Sequence, residues 1–327
     1  MTLKYSIAIP VYNRSDYLNR AIASCLAQTI NDFEVIVSDD CSSEDLLAVV
    51  RSFHDPRIIY SRAERRLGAC ANHQRAVSLS KGSYVINLHS DDMLLENCLE
   101  VAGRELDQRT GAAAAYFACT YLERGRVSGN SMVPSTRFAD ATSLLNHPWL
   151  ERFHSIAPSC CLFRRAAFDR IGGYRTSLRL AYDWDLYMRF LMFGGGVVFI
   201  PQILSISGLH NEQSVQTRSI DGLWDMLDLW SGEYSERWSA RSLACLVSTQ
   251  CGITLRRGEG FVGIIRIFSG ICSRKLAWRL LGGMPGALWD KVQIRIGLGK
   301  NEQAEHYIEP LNRDAVVAQA SKTLSSR

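Results

Sequence analysis

The first 120 residues alternate between short continuous apolar runs and stretches with helical spacing. Tyr5 to Val11 is a mostly apolar run, the pattern of a strand buried on both faces. Leu18, Ala21, Ile22, Cys25 and Leu26 then recur at three- and four-residue spacing, which predicts a helix capped by Ser15. Phe33 to Ser38 predicts a second strand running into Asp39 and Asp40. The same reading gives a helix over Glu44 to Phe53 and a short strand over Ile58 to Ser61. It continues with a helix over Ala71 to Ser80, ended by Lys81-Gly82, and a strand over Tyr84 to Leu88 that leads into Asp91 and Asp92. Glu96 to Asp107 reads as helix and Ala113 to Tyr121 as extended chain. Strands separated by helices imply parallel β-α-β units, whose ligand crevice lies at the carboxyl ends of the strands. Three strands end on polar tips, at Asn13, Asp39-Asp40 and Asp91-Asp92, so these tips are expected to converge on one sheet edge.

From Leu122 to Pro158 the periodicity fades, and Gly125, Gly129, Pro134 and Pro148 interrupt it. An irregular segment over the site, suited to an acceptor, is expected there. Regular structure resumes with Cys160 to Arg164 and Ala166 to Ile171, then a helix over Asp183 to Phe193 and a strand over Val197 to Ile200. Beyond Gln216 the chain reads as helical, with Leu223, Met226, Leu227 and Trp230 on one face. The expected organisation is an α/β domain over 1–215 and a mainly helical region over 216–327.

The chain has 327 residues, 47% apolar and 21% charged, an ordinary globular balance. A net charge of +4 is too small to imply a nucleic-acid partner. The ten cysteines sit largely in apolar runs and read as small buried hydrophobes; no CxxC pair suggests a zinc site. No signal-peptide pattern opens the sequence, and no run approaches the ~18 apolar residues of a membrane span, so a cytoplasmic protein is expected. Residues 261–300 carry seven basic side chains against one acid, interleaved with Phe261, Ile264, Trp278, Trp289 and other apolar residues. That composition suits an anionic membrane surface, which would hold the protein at the inner face of the membrane. A solvated helical appendage or a self-associating surface is the competing reading.

Two adjacent carboxylates are unfavourable unless a cation joins them. Mg2+ or Mn2+, held by one or two carboxylates and by substrate phosphates, resolves the repulsion at Asp91-Asp92. The competing reading is a pair that caps the helix at Glu96. GxGxxG and GxxxxGK[ST] are both missing, which argues against a dinucleotide enzyme and a P-loop NTPase.

The segment from Ser6 to Asp45, SIAIPVYNRSDYLNRAIASCLAQTINDFEVIVSDDCSSED, resembles the opening of family 2 glycosyltransferases. Leu67-Gly68, Asn72, KGSYVINLHSDD and AYDWDLYMR extend the resemblance over roughly residues 5–215. It implies the GT-A fold, an α/β Rossmann-like nucleotide-binding sandwich with a mostly parallel central sheet, here with a C-terminal helical appendage. It also implies transfer of one sugar from a UDP- or dTDP-sugar to a hydroxyl of a glycan or lipid-linked glycan, in surface polysaccharide or glycolipid assembly. Pro10, Val11 and Tyr12 would line the base pocket. Asp40 would accept from the pyrimidine imide with Asp39 in support, and Arg14, Asn72 and Asp91 would complete the nucleotide contacts. Asp91 and Asp92 match the family's metal motif, for Mn2+ or Mg2+. His89 stands where the commonest form carries a third acid, and either touches ribose or phosphate or packs as a neutral ring. His210, in LHNEQS, resembles a histidine near the donor diphosphate and is expected to bind metal or phosphate. Asp183 matches the catalytic base. A base opposite a metal-bound diphosphate implies inversion at the anomeric carbon. As a helix-N-terminal acid, Asp183 is expected to have a lowered pKa, and Asp185 is expected to pair with Arg189 at i,i+4. Tyr234 replaces the Gln of the processive Gln-x-x-Arg-Trp motif before Arg237-Trp238, so single additions are expected. The alternatives are a nucleotidyltransferase, which would carry a Gly- and Lys-rich loop where Tyr12-Asn13-Arg14-Ser15 stand, and a non-catalytic nucleotide-sugar binding protein.

Overall fold

The computed structural model describes residues 3–123, 126–132, 158–209 and 219–231, with Ile267 and Ser269. The expectations for residues 133–157, for His210 and for all but two residues of 261–300 lie outside these. In chain order the elements are β1 (Tyr5–Val11), α1 (Ser15–Leu26), β2 (Phe33–Asp39), α2 (Leu46–Ser52), β3 (Ile58–Arg62) and α3 (Ala69–Leu79). They continue with β4 (Tyr84–Asn87), β5 (Met93–Leu94), α4 (Cys98–Gln108), β6 (Ala114–Glu123) and β7 (Arg126–Met132). A single 3-10 turn, Pro158–Cys160, leads into β8 (Cys161–Arg164), α5 (Arg165–Arg170), α6 (Tyr182–Phe193), β9 (Val197–Leu209) and α7 (Ser219–Ser231).

The strands form one sheet in the order β3-β2-β1-β4-β8-β6-β9-β5, with β7 paired to β6. β1 to β4 pair in parallel, and β6 and β9 run the same way, while β8, β5 and β7 are antiparallel to their neighbours. The sheet is thus mostly parallel, with helices on both faces. Strand alternation sorts the core into two layers: Tyr5, Ile7, Ile9 and Val11 face α1, α2 and α4, whereas Ala8, Val85 and Phe163 face α3, α5 and α6. Met226 and Leu227 of α7, with Ile267, are buried in that second layer beside Trp184. Met226, Leu227, Leu229 and Ile267 therefore share the core of the α/β domain.

Gly82 links α3 to β4, and its N–H donates to Ser6 Oγ at 2.7 Å. A Cβ there would meet the β1 backbone at 2.5 Å (Tyr5 C) and 2.6 Å (Ser6 N). Gly82→Ala is expected to lower stability by about 1–3 kcal/mol, read as a shift of the denaturation midpoint.

Three elements depart from the sequence reading. The stretch after Leu122 is not irregular at its start: β6 continues to Glu123 and β7 returns antiparallel to it. β8 leaves that edge of β6 after Tyr116, and backbone pairing, which no apolar periodicity announces, fills the place. β9 does not stop at Ile200. Its register on β6 jumps from Ile200 to Ile203, so the exposed pair Pro201-Gln202 sits in a bulge where proline's missing N–H costs no ladder bond. The two-residue β5, immediately after Asp92, has no pattern of its own and is fixed by pairing with Ser205 and Ile206.

Candidate active site

The parallel registers, Val11 opposite Asp39 and Ala8 opposite Asn87, bring the three polar tips to one end of adjacent strands. The first two tips interlock. Asn13 N–H donates to Ser42 Oγ at 2.8 Å and Asn13 Oδ1 accepts from Ser43 N–H at 2.8 Å. Asn13 and Arg14 adopt left-handed backbone, with φ of 57° and 66°. Arg14, not Ser15, is the N-cap of α1, and its side chain makes no capping bond. Glu44, from the loop after β2, caps the helix instead, accepting from Arg14 N–H at 2.9 Å and Ser15 N–H at 2.8 Å. The left-handed turn aims those amides at the neighbouring loop. Arg14 Nη1 also lies 3.9 Å from the Asp91 carboxylate, tying the first tip to the third.

Asp39 is fully buried and accepts from Ser42 N–H (2.9 Å), Tyr60 Oη (2.6 Å) and Arg62 Nη1 (2.9 Å). Burial opposes its charge, but the bonds from Ser42 and Tyr60 and the Arg62 guanidinium hold its pKa below the usual carboxylate value. Asp40 accepts from Leu67 N–H at 2.6 Å and Gly68 N–H at 3.0 Å, pinning the loop before α3. One donor per oxygen leaves each a further lone pair for a ligand. Tyr12 is 39% exposed, with the Arg66 guanidinium 4.0 Å from its ring centroid. The side chains of Pro10 and Val11 are buried in β1. Asn72 is also buried. Its Oδ1 accepts from Ser38 Oγ at 2.7 Å and its Nδ2 donates to Ser38 O at 2.9 Å, so it braces β2 against α3.

At the third tip, Asp92 is 2% exposed. Its Oδ1 accepts from Gly208 N–H at 3.0 Å, while its Oδ2 has no hydrogen-bond partner and lies 4.0 Å from His89 Nδ1. A Cβ on Gly208 would come within 2.4 Å of the Asp91 carbonyl, so only glycine lets β9 approach the acidic pair this closely. Burial, and next the charge of Asp91, push the Asp92 pKa up to about 6. His89, Asp91 and Asp92 each offer a ligand atom within 4.8 Å of the others. These residues fit a divalent cation: an unpartnered buried carboxylate oxygen beside a second carboxylate marks where positive charge is missing.

Asp183 sits in the first turn of α6, partly exposed at the surface but with its carboxyl enclosed by surrounding chain. It accepts from Trp184 N–H at 3.0 Å. Burial raises its pKa to about 6, against smaller opposing effects from His89 and the Trp184 N–H. This overturns the expected lowering, because desolvation outweighs the helix terminus. Two residues on, Asp185 is fully buried and accepts from Arg189 Nε (2.8 Å) and Nη2 (2.6 Å), with Arg175 Nη1 at 3.1 Å. The expected i,i+4 pair is present and structural.

Several contributors gave no sequence signal. Asp225 of α7 accepts on one oxygen from the N–H groups of Arg179 (2.7 Å), Leu180 (2.6 Å) and Ala181 (3.1 Å), and so sets the entry to α6. His73, buried and held neutral chiefly by burial, stands edge-on to His89 with ring centroids 5.1 Å apart. Only the position of His89, two residues before the acidic pair, was a visible clue.

The family model described as Glycosyl transferase family 2 matches residues 6–172. A protein of Escherichia coli (strain K12) named as a colanic acid biosynthesis glycosyl transferase, WcaA, is 28% identical over 77% of this chain and 96% of its own. A glycosyltransferase of Rickettsia typhi is 28% identical over 69% of this chain and 70% of its own. The crystal structure of residues 1–349 of S. aureus TarS with UDP-GlcNAc superposes with a TM-score of 0.63 at 16% identity, covering 90% of this chain and 92% of that one. A longer TarS chain is covered to 43%. A mannosyltransferase of Pyrobaculum calidifontis with GDP-Man and Mn2+ gives 0.56 at 14% identity, covering 88% of each chain. At these identities the superpositions show a shared GT-A fold. Among the described residues no helix is long and apolar enough to cross a membrane.

Proposed function

The chain belongs to glycosyltransferase family 2, and on that premise we propose that it transfers one sugar from a UDP- or dTDP-sugar to an acceptor hydroxyl, with inversion. The observation that supports this most is the cluster of His89 with the half-buried Asp91 and the buried Asp92, together with a separate carboxylate, Asp183, close enough to His89 to feel its charge. Asp91 and Asp92, with His210 as a further expected contact, would hold a divalent cation, which would supply positive charge against the donor diphosphate. The guanidinium of Arg14, 3.9 Å from the Asp91 carboxylate, would meet the same phosphates. Tyr12 offers an aromatic face to the base, and Asp40 keeps a lone pair for the imide N–H, which uracil and thymine have and cytosine lacks.

In the reaction the acceptor oxygen bonds to the anomeric carbon as the bond from that carbon to the diphosphate breaks. The acceptor's proton passes to Asp183, and the nucleoside diphosphate departs with the bonding pair. The single displacement turns an α-linked donor into a β-linked product. Proton NMR of the product is expected to show the β anomer, and an α product would reject the mechanism.

Asp183 works only when ionised, and its pKa stands at about 6. kcat/KM is therefore expected to fall about tenfold per pH unit below 6 and to level off above 7, in initial rates across pH 4.5–8. With Mn2+ saturating, which keeps Asp92 ionised, the limb should vanish in Asp183→Asn, and a limb that survives there would remove Asp183 as the base.

The acceptor is proposed to be a glycan or lipid-linked glycan in surface polysaccharide or glycolipid assembly, the setting named for WcaA. The basic, Trp-containing stretch 261–300 is proposed to bring the enzyme to the membrane's inner face.

A further inference from the structure

Resting on the metal-dependent reading above, we infer that His89 is itself a metal ligand, and that its nitrogen biases the site toward Mn2+-like transition ions over Mg2+.

Two atoms bound to one cation at about 2.1 Å lie at most about 4.2 Å apart. His89 Nδ1 and Asp92 Oδ2, 4.0 Å apart, already meet that limit. Asp91 adds a ligand atom within 4.8 Å of both, which a small side-chain movement would bring into reach. Asp92 Oδ2, the oxygen 4.0 Å from His89 Nδ1, is buried and has no hydrogen-bond partner. Buried carboxylate oxygens are nearly always paired, and a cation shared with His89 Nδ1 would satisfy this one.

His89 N–H donates to Ser159 Oγ at 2.9 Å, and Asp92 N–H donates to His89 O at 3.1 Å, closing a turn that presents both side chains together. The ring is backed edge-on by His73, and Asp92 Oδ1 is anchored on Gly208 N–H. The constellation is thus held before any cation arrives. Mg2+ favours carboxylate, phosphate and water oxygens, whereas imidazole suits later first-row ions. A histidine in place of a third acid also removes one negative charge that a hard cation would use.

The test is pulsed EPR on the full chain loaded with Mn2+ and UDP, beside calorimetric affinities for Mn2+ and Mg2+. Wild type and His210→Ala are expected to show 14N modulation from a bound imidazole. Introduced into the His210→Ala chain, so that neither histidine remains, His89→Asp is expected to lose the modulation while still binding Mn2+, with its preference for Mn2+ over Mg2+ reduced roughly tenfold. His89→Asn serves the same comparison if the aspartate variant does not fold. Bound Mn2+ without 14N modulation in wild type, or modulation that persists in the His89 variants, overturns the inference and leaves the transferase reading intact. Failure of wild type to take up Mn2+ in the presence of UDP overturns both.

Discussion

Asp183→Asn is expected to lower kcat about a hundred- to ten-thousand-fold while leaving nucleotide affinity in place. Asparagine keeps the size and the carbonyl that accepts from Trp184 N–H, but it cannot take the acceptor's proton. The same variant should be more stable than wild type at neutral pH. The folded-state pKa of Asp183 is raised to about 6. Its contribution to stability is therefore full below the unfolded value near 4 and lost as pH rises through 6. Removing the charge should return about 1–2 kcal/mol at pH 7 and almost nothing at pH 4. Initial rates, UDP titration and melting at the two pH values separate this from a folding defect, in which stability would fall with activity. Equal activity in the variant would take Asp183 out of the chemistry.

Asp185→Ala, two positions away, is expected to act in the opposite sense. Asp185 is the buried partner of Arg189 and lies 3.1 Å from Arg175. Truncating it strands the buried Arg189 guanidinium, whose Nε and Nη2 both donate to that carboxylate. Loss of one partner from a buried pair costs about 3–5 kcal/mol. Denaturant unfolding should show that loss, and any fall in activity should follow the folded fraction. A variant as stable as wild type would mean that solvent reaches Arg189.

The contrast between these aspartates shows what the sequence could convey. Both are acids in the first turn of one helix, and i,i+4 spacing identified the one with an arginine partner. The pKa of Asp183 was misjudged because the helix terminus is visible in sequence, whereas the enclosure of the carboxyl is a property of the packed fold. The alternation of apolar runs and helical spacing sufficed for β1 to β4, α1 to α4 and the convergence of the three tips, because each element follows its own period. β7, the bulged continuation of β9, and β5 were not legible. They exist through backbone pairing with distant strands and carry no period of their own. The same holds for Glu44 capping α1 and Asp225 holding the entry to α6: both act on backbone amides far away in sequence. His89 was legible as a departure from the family pattern, but not as a member of the acidic cluster until the turn from His89 to Asp92 was seen to place them together.

The acidic tips are proposed to form a metal-dependent site for a uracil or thymine nucleoside diphosphate. The most direct test is calorimetric titration of the full chain with UDP, dTDP, GDP and CDP, each with and without Mn2+. UDP or dTDP is expected to bind only with Mn2+, and CDP and GDP far more weakly. Failure of all four nucleotides to bind a folded sample in the presence of Mn2+ would contradict the proposal.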